Sequence, residues 1–60
     1  MKWSELRRMA EKEGWYIVRH GSNHDVYAHA DKDYQIALER HGAKEVGTGL
    51  YYKLKKQITI

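Results

Sequence analysis

Four histidines, His20, His24, His29 and His41, carry most of the proton chemistry that this chain can offer. An imidazole with an ordinary pKa of about 6.5 donates or accepts a proton near neutral pH. His24 has the most informative setting. Gly21-Ser22-Asn23 places it at the exit of a tight turn, where glycine lets the backbone come close to a ligand. Ser22, Asn23 and the turn amides can bind a phosphate or orient the imidazole. The same tetrapeptide also reads as a plain hairpin turn, since Gly, Ser and Asn are the usual turn residues.

Other chemistries are poorly supplied. There is no cysteine, and Ser4, Ser22, Thr48 and Thr59 are the only aliphatic hydroxyls, none of them in a nucleophile motif. Neither a glycine-rich P-loop nor an HExxH sequence occurs. Asp31 and Asp33 flank a lysine, a pattern that turn formation explains. His20 and His24 bracket a turn, but their spacing matches no metal-ligand pattern. The expectation is a protein with no metal site and no cofactor.

Eleven Lys and Arg against eight Asp and Glu give a net charge of +3. After Glu45 the chain carries Lys53, Lys55 and Lys56 and no acidic residue. Near the other end Lys2, Arg7, Arg8 and Lys12 cluster, interleaved with Glu5, Glu11 and Glu13. In a small fold the two basic ends can converge on one phosphate-attracting face; on charge alone, solvated helix faces are the favoured reading.

The elements that must position these residues fit in 60 positions, which predicts one domain over 1–60 burying roughly 60% of its unfolded surface. Without cysteine, disulfide staples are excluded. The apolar share of 42% is spread without a long apolar run, so no membrane span and no secretory signal is expected. A cytoplasmic setting is the default.

A helix is predicted over Ser4–Glu13, with Ser4 as N-cap, Glu5 favoured by the helix dipole, and Leu6, Met9 and Ala10 as the buried stripe. Gly14 closes it as a left-handed residue. Strands are predicted over Trp15–His20, His24–Ala30 and Tyr34–Arg40, joined by the turns Gly21-Ser22-Asn23 and Asp31-Lys32-Asp33 into an antiparallel meander. In the third strand Tyr34, Ile36 and Leu38 alternate with polar or small residues, marking one buried face. In the first two the alternation leaves the inward face open. A loop over His41–Gly47 leads to a second helix over about Gly49–Gln57, capped by Thr48, with Leu50, Leu54 and Ile58 on one stripe and Tyr51 beside it. Ile58-Thr59-Ile60 is β-prone and reads as a frayed end or a short pairing. Trp3, Trp15, Tyr16, Tyr51 and Tyr52 could stack bases, but in a domain this small they are expected in the core or against a partner. The order α-β-β-β-α predicts a two-layer α+β fold of double-stranded-RNA-binding-domain type, a three-stranded antiparallel sheet with both helices on one face.

With these motifs in order, the chain resembles the HicA family of toxins from bacterial toxin–antitoxin systems, small messenger-RNA-cleaving endoribonucleases. Ser4-Glu5-Leu6 through Glu13-Gly14-Trp15 is similar to the family's opening helix and its glycine-aromatic stop. Gly21-Ser22-Asn23-His24 resembles the motif whose histidine is the family's catalytic residue. Arg40-His41-Gly42, Lys44-Glu45-Val46 and Gly49-Leu50 resemble the loop into the last helix, and Lys53-Leu54-Lys55-Lys56-Gln57 its basic end. Two departures stand out. Glu39 replaces the proline that often precedes the arginine–histidine pair, and the tail lacks the usual small residues.

The resemblance implies an mRNA-cleaving toxin, monomeric when alone, inhibited by a HicB-type antitoxin. RNA carries its own nucleophile, the 2′-hydroxyl, so a protein need only move protons and stabilise charge on the phosphate. His24 is then expected as general acid or base. Gly21, Ser22, Asn23, Arg40, Lys44, Lys53 and Lys56 are the candidate RNA contacts. The partner in proton transfer stays open among His20, His41 and Tyr27. Two other classes compete: a non-catalytic RNA-binding module, separated by a direct cleavage assay, and a protein-interaction domain, separated by the salt dependence of binding.

Overall fold

The computed structural model describes residues 1–59 of the chain. The elements run α1 (Trp3–Lys12), β1 (Tyr16–His20), β2 (His24–Ala28), β3 (Ile36–Glu39) and α2 (Thr48–Thr59). The three strands form an antiparallel sheet in the order β1-β2-β3, so the α+β arrangement expected from the sequence is the one observed. Each strand is a residue or more shorter than expected, because pairing ends where the turns begin. The β-prone Ile58 and Thr59 continue the helix; Ile60 lies outside the described residues.

The start of α1 differs from expectation. Ser4 does not cap it: the helix begins at Trp3, with Lys2 in the cap position and no side-chain cap. The loop before α2 does this work instead. Trp3 N donates to Lys44 O and Ser4 N to Gly42 O, each at 3.1 Å, and Val46 N donates to Met1 O at 2.7 Å. Orphan first-turn amides need an acceptor of some kind, and backbone carbonyls from the far side of the chain, at Gly42 and Lys44, are invisible to a local pattern. The other end is as predicted. Gly14 has φ +97°, Gly14 N bonds Glu11 O and Trp15 N bonds Ala10 O, the paired closure that a left-handed residue after a helix permits.

One sheet face is the core face. Tyr27 pairs with Ile36 and Asp25 with Leu38, and all four are buried. Leu6, Ala10 and Trp3 of α1 and Tyr51, Leu54 and Ile58 of α2 complete the cluster with Trp15 and Val46. The α2 stripe is therefore Tyr51, Leu54 and Ile58; Leu50, expected on it, is exposed, and Met9 only packs at the rim. Gly47 O accepts from Tyr51 N at 2.8 Å, which makes Gly47 rather than Thr48 the residue opening α2. Trp15 Nε1 donates to Ile58 O at 3.0 Å and Tyr34 Oη to Gln57 O at 2.7 Å, tying the end of α2 to the segments that lead into β1 and β3. Of the five aromatics weighed above, Trp3, Trp15 and Tyr51 are core, whereas Tyr16 and Tyr52 are exposed. β1 is exposed along its whole length, with a bulge between Ile17 and Arg19, which is why no clean alternation marks its sequence.

Candidate active site

The turn after β1 and the end of β3 define one open cleft, about 610 Å³, lined by Ser22, Asn23, His24, Glu39, Arg40, His41 and Lys44. Its floor follows from strand register. His24 opens β2 and sits directly opposite Glu39, the last residue of β3. Because Asp25 and Leu38, the next pair along, are buried, alternation puts His24 and Glu39 on the opposite face, away from the helices. His24 is exposed and Glu39 half-buried.

The Gly21–Asn23 turn is held in place by Arg40. Its Nη2 donates to Gly21 O at 2.5 Å and to Asp25 Oδ1 at 3.0 Å, its Nε to Asp25 Oδ1 at 3.2 Å, and Arg40 N to Asn23 O at 3.0 Å. Gly21 N donates to His24 O at 2.7 Å. A Cβ on Gly21 would lie 3.1 Å from that same oxygen, so the turn is built around the absence of a side chain there. Across the cleft Lys44 Nζ meets Glu39 Oε1 at 2.9 Å, and Lys44 N bonds His41 O. The loop carrying His41 and Lys44 is the one whose carbonyls cap α1, so the helix N-terminus positions this wall.

Asp25 is the anchor under the turn. Only 5% exposed, its Oδ1 accepts from His20 Nδ1 at 2.7 Å as well as from Arg40, and its Oδ2 lies 3.8 Å from Arg7 Nη2. The ionised carboxylate can only accept, which assigns the proton to His20 Nδ1. The His20 hydrogen bond holds the Asp25 carboxyl below its ordinary 3.8; burial opposes this and Arg40 reinforces it. A carboxyl depressed in the fold stabilises it above the unfolded value, and that stability is lost as pH falls through the folded value. The thermal midpoint should therefore drop as pH falls below about 4. Asp25→Asn should start lower at neutral pH and fall less steeply. Parallel curves for the two proteins in a pH series of melts would show that Asp25 does not set this dependence. Glu39, held low by Lys44, and Glu45, held low by the N-terminal ammonium and Lys2, supply the residual slope.

The expected site residues are thus partly assembled. Ser22, Asn23, His24, Arg40 and Lys44 line one cleft, and Gly21 lies immediately behind it. Lys53 and Lys56 project from α2 outside it. Among the residues weighed as a second proton-transfer group, His41 lines the cleft. His20 is engaged with Asp25 on the other side of the turn, and Tyr27 is fully buried, its phenol pKa pushed up by that burial. His29 is structural: its Nε2 donates to Glu13 O at 2.8 Å and its Nδ1 accepts from Asp31 N at 3.0 Å. Glu39 was not among the expected site residues. Its place beside His24 follows from register, which two separate strand patterns do not reveal. Among the described residues no three His, Asp or Glu side chains are grouped to hold a metal ion, and no helix is long and apolar enough to cross a membrane.

Comparison with protein families decides the wider identity. Residues 3–60 match the model of the HicA toxin of bacterial toxin–antitoxin systems. The chain belongs to the HicA toxin family. Because the match spans both helices and the sheet, it covers every element of the cleft. No curated protein matches the chain. As a HicA-family member it is the toxin of a toxin–antitoxin system, a role that implies a partner antitoxin.

Proposed function

We propose that this HicA-family toxin is a metal-independent endoribonuclease that cleaves messenger RNA, with His24 as a proton-transfer residue, and that a HicB-type antitoxin inhibits it. The observation that carries the reading is the placement of His24. It stands exposed on a strand end, beside a turn fixed by Arg40, in a cleft shared with His41 and Lys44. Catalytic groups on rigid strands hold their geometry better than groups on free loops.

RNA brings the attacking 2′-hydroxyl, so the protein moves two protons and steadies the phosphate. Ser22, Asn23 and the turn amides face the incoming phosphodiester from one side. Lys44 offers positive charge from the other and Arg40 from beneath the turn, where charge stabilises the transition state most when it is already in place. Gly21 keeps the turn tight. Lys53 and Lys56, outside the cleft, act on RNA at longer range by raising its local concentration. A HicB-type antitoxin bound over His24 denies RNA this approach.

The purified chain should cleave a single-stranded transcript in the presence of EDTA, leaving 2′,3′-cyclic phosphate and 5′-hydroxyl ends. A strict requirement for a divalent ion would overturn the mechanism. Binding without cleavage would favour the RNA-binding module instead. Adding the cognate antitoxin should abolish cleavage.

A further inference from the structure

We propose that Glu39 is the general base of the cleavage step and His24 its general acid. This rests on the endoribonuclease reading above and assigns the proton-transfer partner that reading leaves open. Glu39 and His24 are direct partners across β2 and β3, so their side chains leave the sheet on one face, with Cβ atoms about 4.5–5.5 Å apart. Both line the same cleft. A phosphodiester lying over this pair has a carboxylate to one side and an imidazole to the other.

The chemistry balances with these two groups alone. Glu39 takes the proton of the 2′-hydroxyl as O2′ bonds to phosphorus. The P–O5′ bond breaks, and O5′ takes the proton of the His24 imidazolium. A 2′,3′-cyclic phosphate and a 5′-hydroxyl end result, and solvent returns each proton. No water or other co-reactant is consumed.

Glu39 suits the base role better than His41. It sits on a strand, and Lys44 Nζ fixes its carboxylate at 2.9 Å; His41 lies in the following loop. Lys44 also holds the Glu39 carboxyl below its ordinary 4.5, against the opposing effect of burial, and the charges of His24 and His41 act in the same sense. Arg7, reaching from α1, donates to the Glu39 carbonyl at 2.9 Å. The charged groups that hold this carboxyl low, Lys44, His24 and His41, are all basic, and it is in its proton-accepting form at neutral pH. Lys44 has three donors and spends one on Glu39, leaving others for a phosphate oxygen. The position also has a cost that makes the role testable. A carboxylate in an anion-binding cleft repels the bound substrate, so it is expected to weaken binding while accelerating the chemical step.

The experiment compares wild type, Glu39→Gln, His24→Ala and His41→Gln on a short oligoribonucleotide in EDTA, across pH about 4 to 9. The isosteric Glu39→Gln should lower kcat by about 100-fold or more with KM unchanged or reduced, in a protein that still melts cooperatively at a midpoint only slightly lowered by loss of the Lys44 pair. It should also remove the acid limb of the rate profile, which His41→Gln should keep. A second substrate with sulfur in place of the bridging O5′ has a leaving group that needs no proton. It should restore cleavage by His24→Ala but not by Glu39→Gln. Wild-type kcat in Glu39→Gln, or an acid limb that survives there and vanishes in His41→Gln, would overturn the assignment while leaving the endoribonuclease reading intact. A wild-type protein that cleaves neither substrate would overturn both.

Discussion

His24→Ala is expected to lower RNA cleavage by about 100- to 10,000-fold, the usual contribution of a positioned acid or base, and to leave the fold unchanged. The expectation separates chemistry from stability because of how His24 is held. Its imidazole is exposed and lines the cleft, while the bonds that fix its position are made by its backbone: the carbonyl accepts from Gly21 N at 2.7 Å and from Arg40 Nη2 at 3.4 Å. Alanine keeps both. The turn, the Asp25 anchor and the register with Glu39 all survive the substitution, so a melt should be superimposable on wild type. Growth inhibition on expression should fall with the cleavage rate. Undiminished cleavage by a folded His24→Ala protein would remove His24 from the mechanism. An unfolded one would contradict the hydrogen bonding described above.

The arrangement also explains why so little protein suffices. The charged network under the turn, Asp25 with His20, Arg40 and Arg7, sits on the core face of the sheet. The proposed proton-transfer pair, His24 and Glu39, sits on the other. The single step along β2 from His24 to Asp25 thus serves both chemistry and stability, and the period-two alternation of a strand is what keeps the two sets apart. Arg40 links them, since one guanidinium reaches both the Asp25 carboxylate and the Gly21 carbonyl.

Much of this was legible in the residues because the signals are local. Gly14 after an amphipathic run, the alternation of Ile36 and Leu38 with Ala37 and Glu39, and Gly-Ser-Asn before His24 each mark an element or turn from its own chemistry. What was illegible depends on partners distant in the chain. Ser4 has the right side chain for a cap, but Gly42 and Lys44 carbonyls reach the first-turn amides first. Leu50-Leu54-Ile58 and Tyr51-Leu54-Ile58 are both sound helical stripes; which one faces inward is set by the way α2 docks on Trp15 and Tyr34. Glu39 looked like the polar side of a strand, and only pairing with β2 brings it to His24. The turn before His24 was readable as a motif, the placement of Glu39 beside it only as a register.

The same docking predicts the second large effect. Leu38→Ala should cost about 2–5 kcal/mol, the range for deleting a buried leucine side chain where the surroundings collapse incompletely. Leu38 is fully buried on the central face of the sheet, among side chains of both helices. A chain of 60 residues has a total stability of about 3–9 kcal/mol at typical values per residue. The substitution therefore removes a large share of it, and the isolated variant should melt near or below physiological temperature. Leu50→Ala, at a side chain 44% exposed, should change stability by no more than about 0.5 kcal/mol, although both leucines are hydrophobic and both lie in regular elements. Equal destabilisation by the two would mean that α2 is rotated from the orientation described, with Leu50 in the core. The antitoxin adds a further arm to this test, because a partner that binds only the folded toxin stabilises it by mass action. Leu38→Ala should recover a cooperative melt when the antitoxin is present in excess, with the recovery growing as its concentration rises. Failure to recover would show that the substitution damages the bound conformation itself and not only its population.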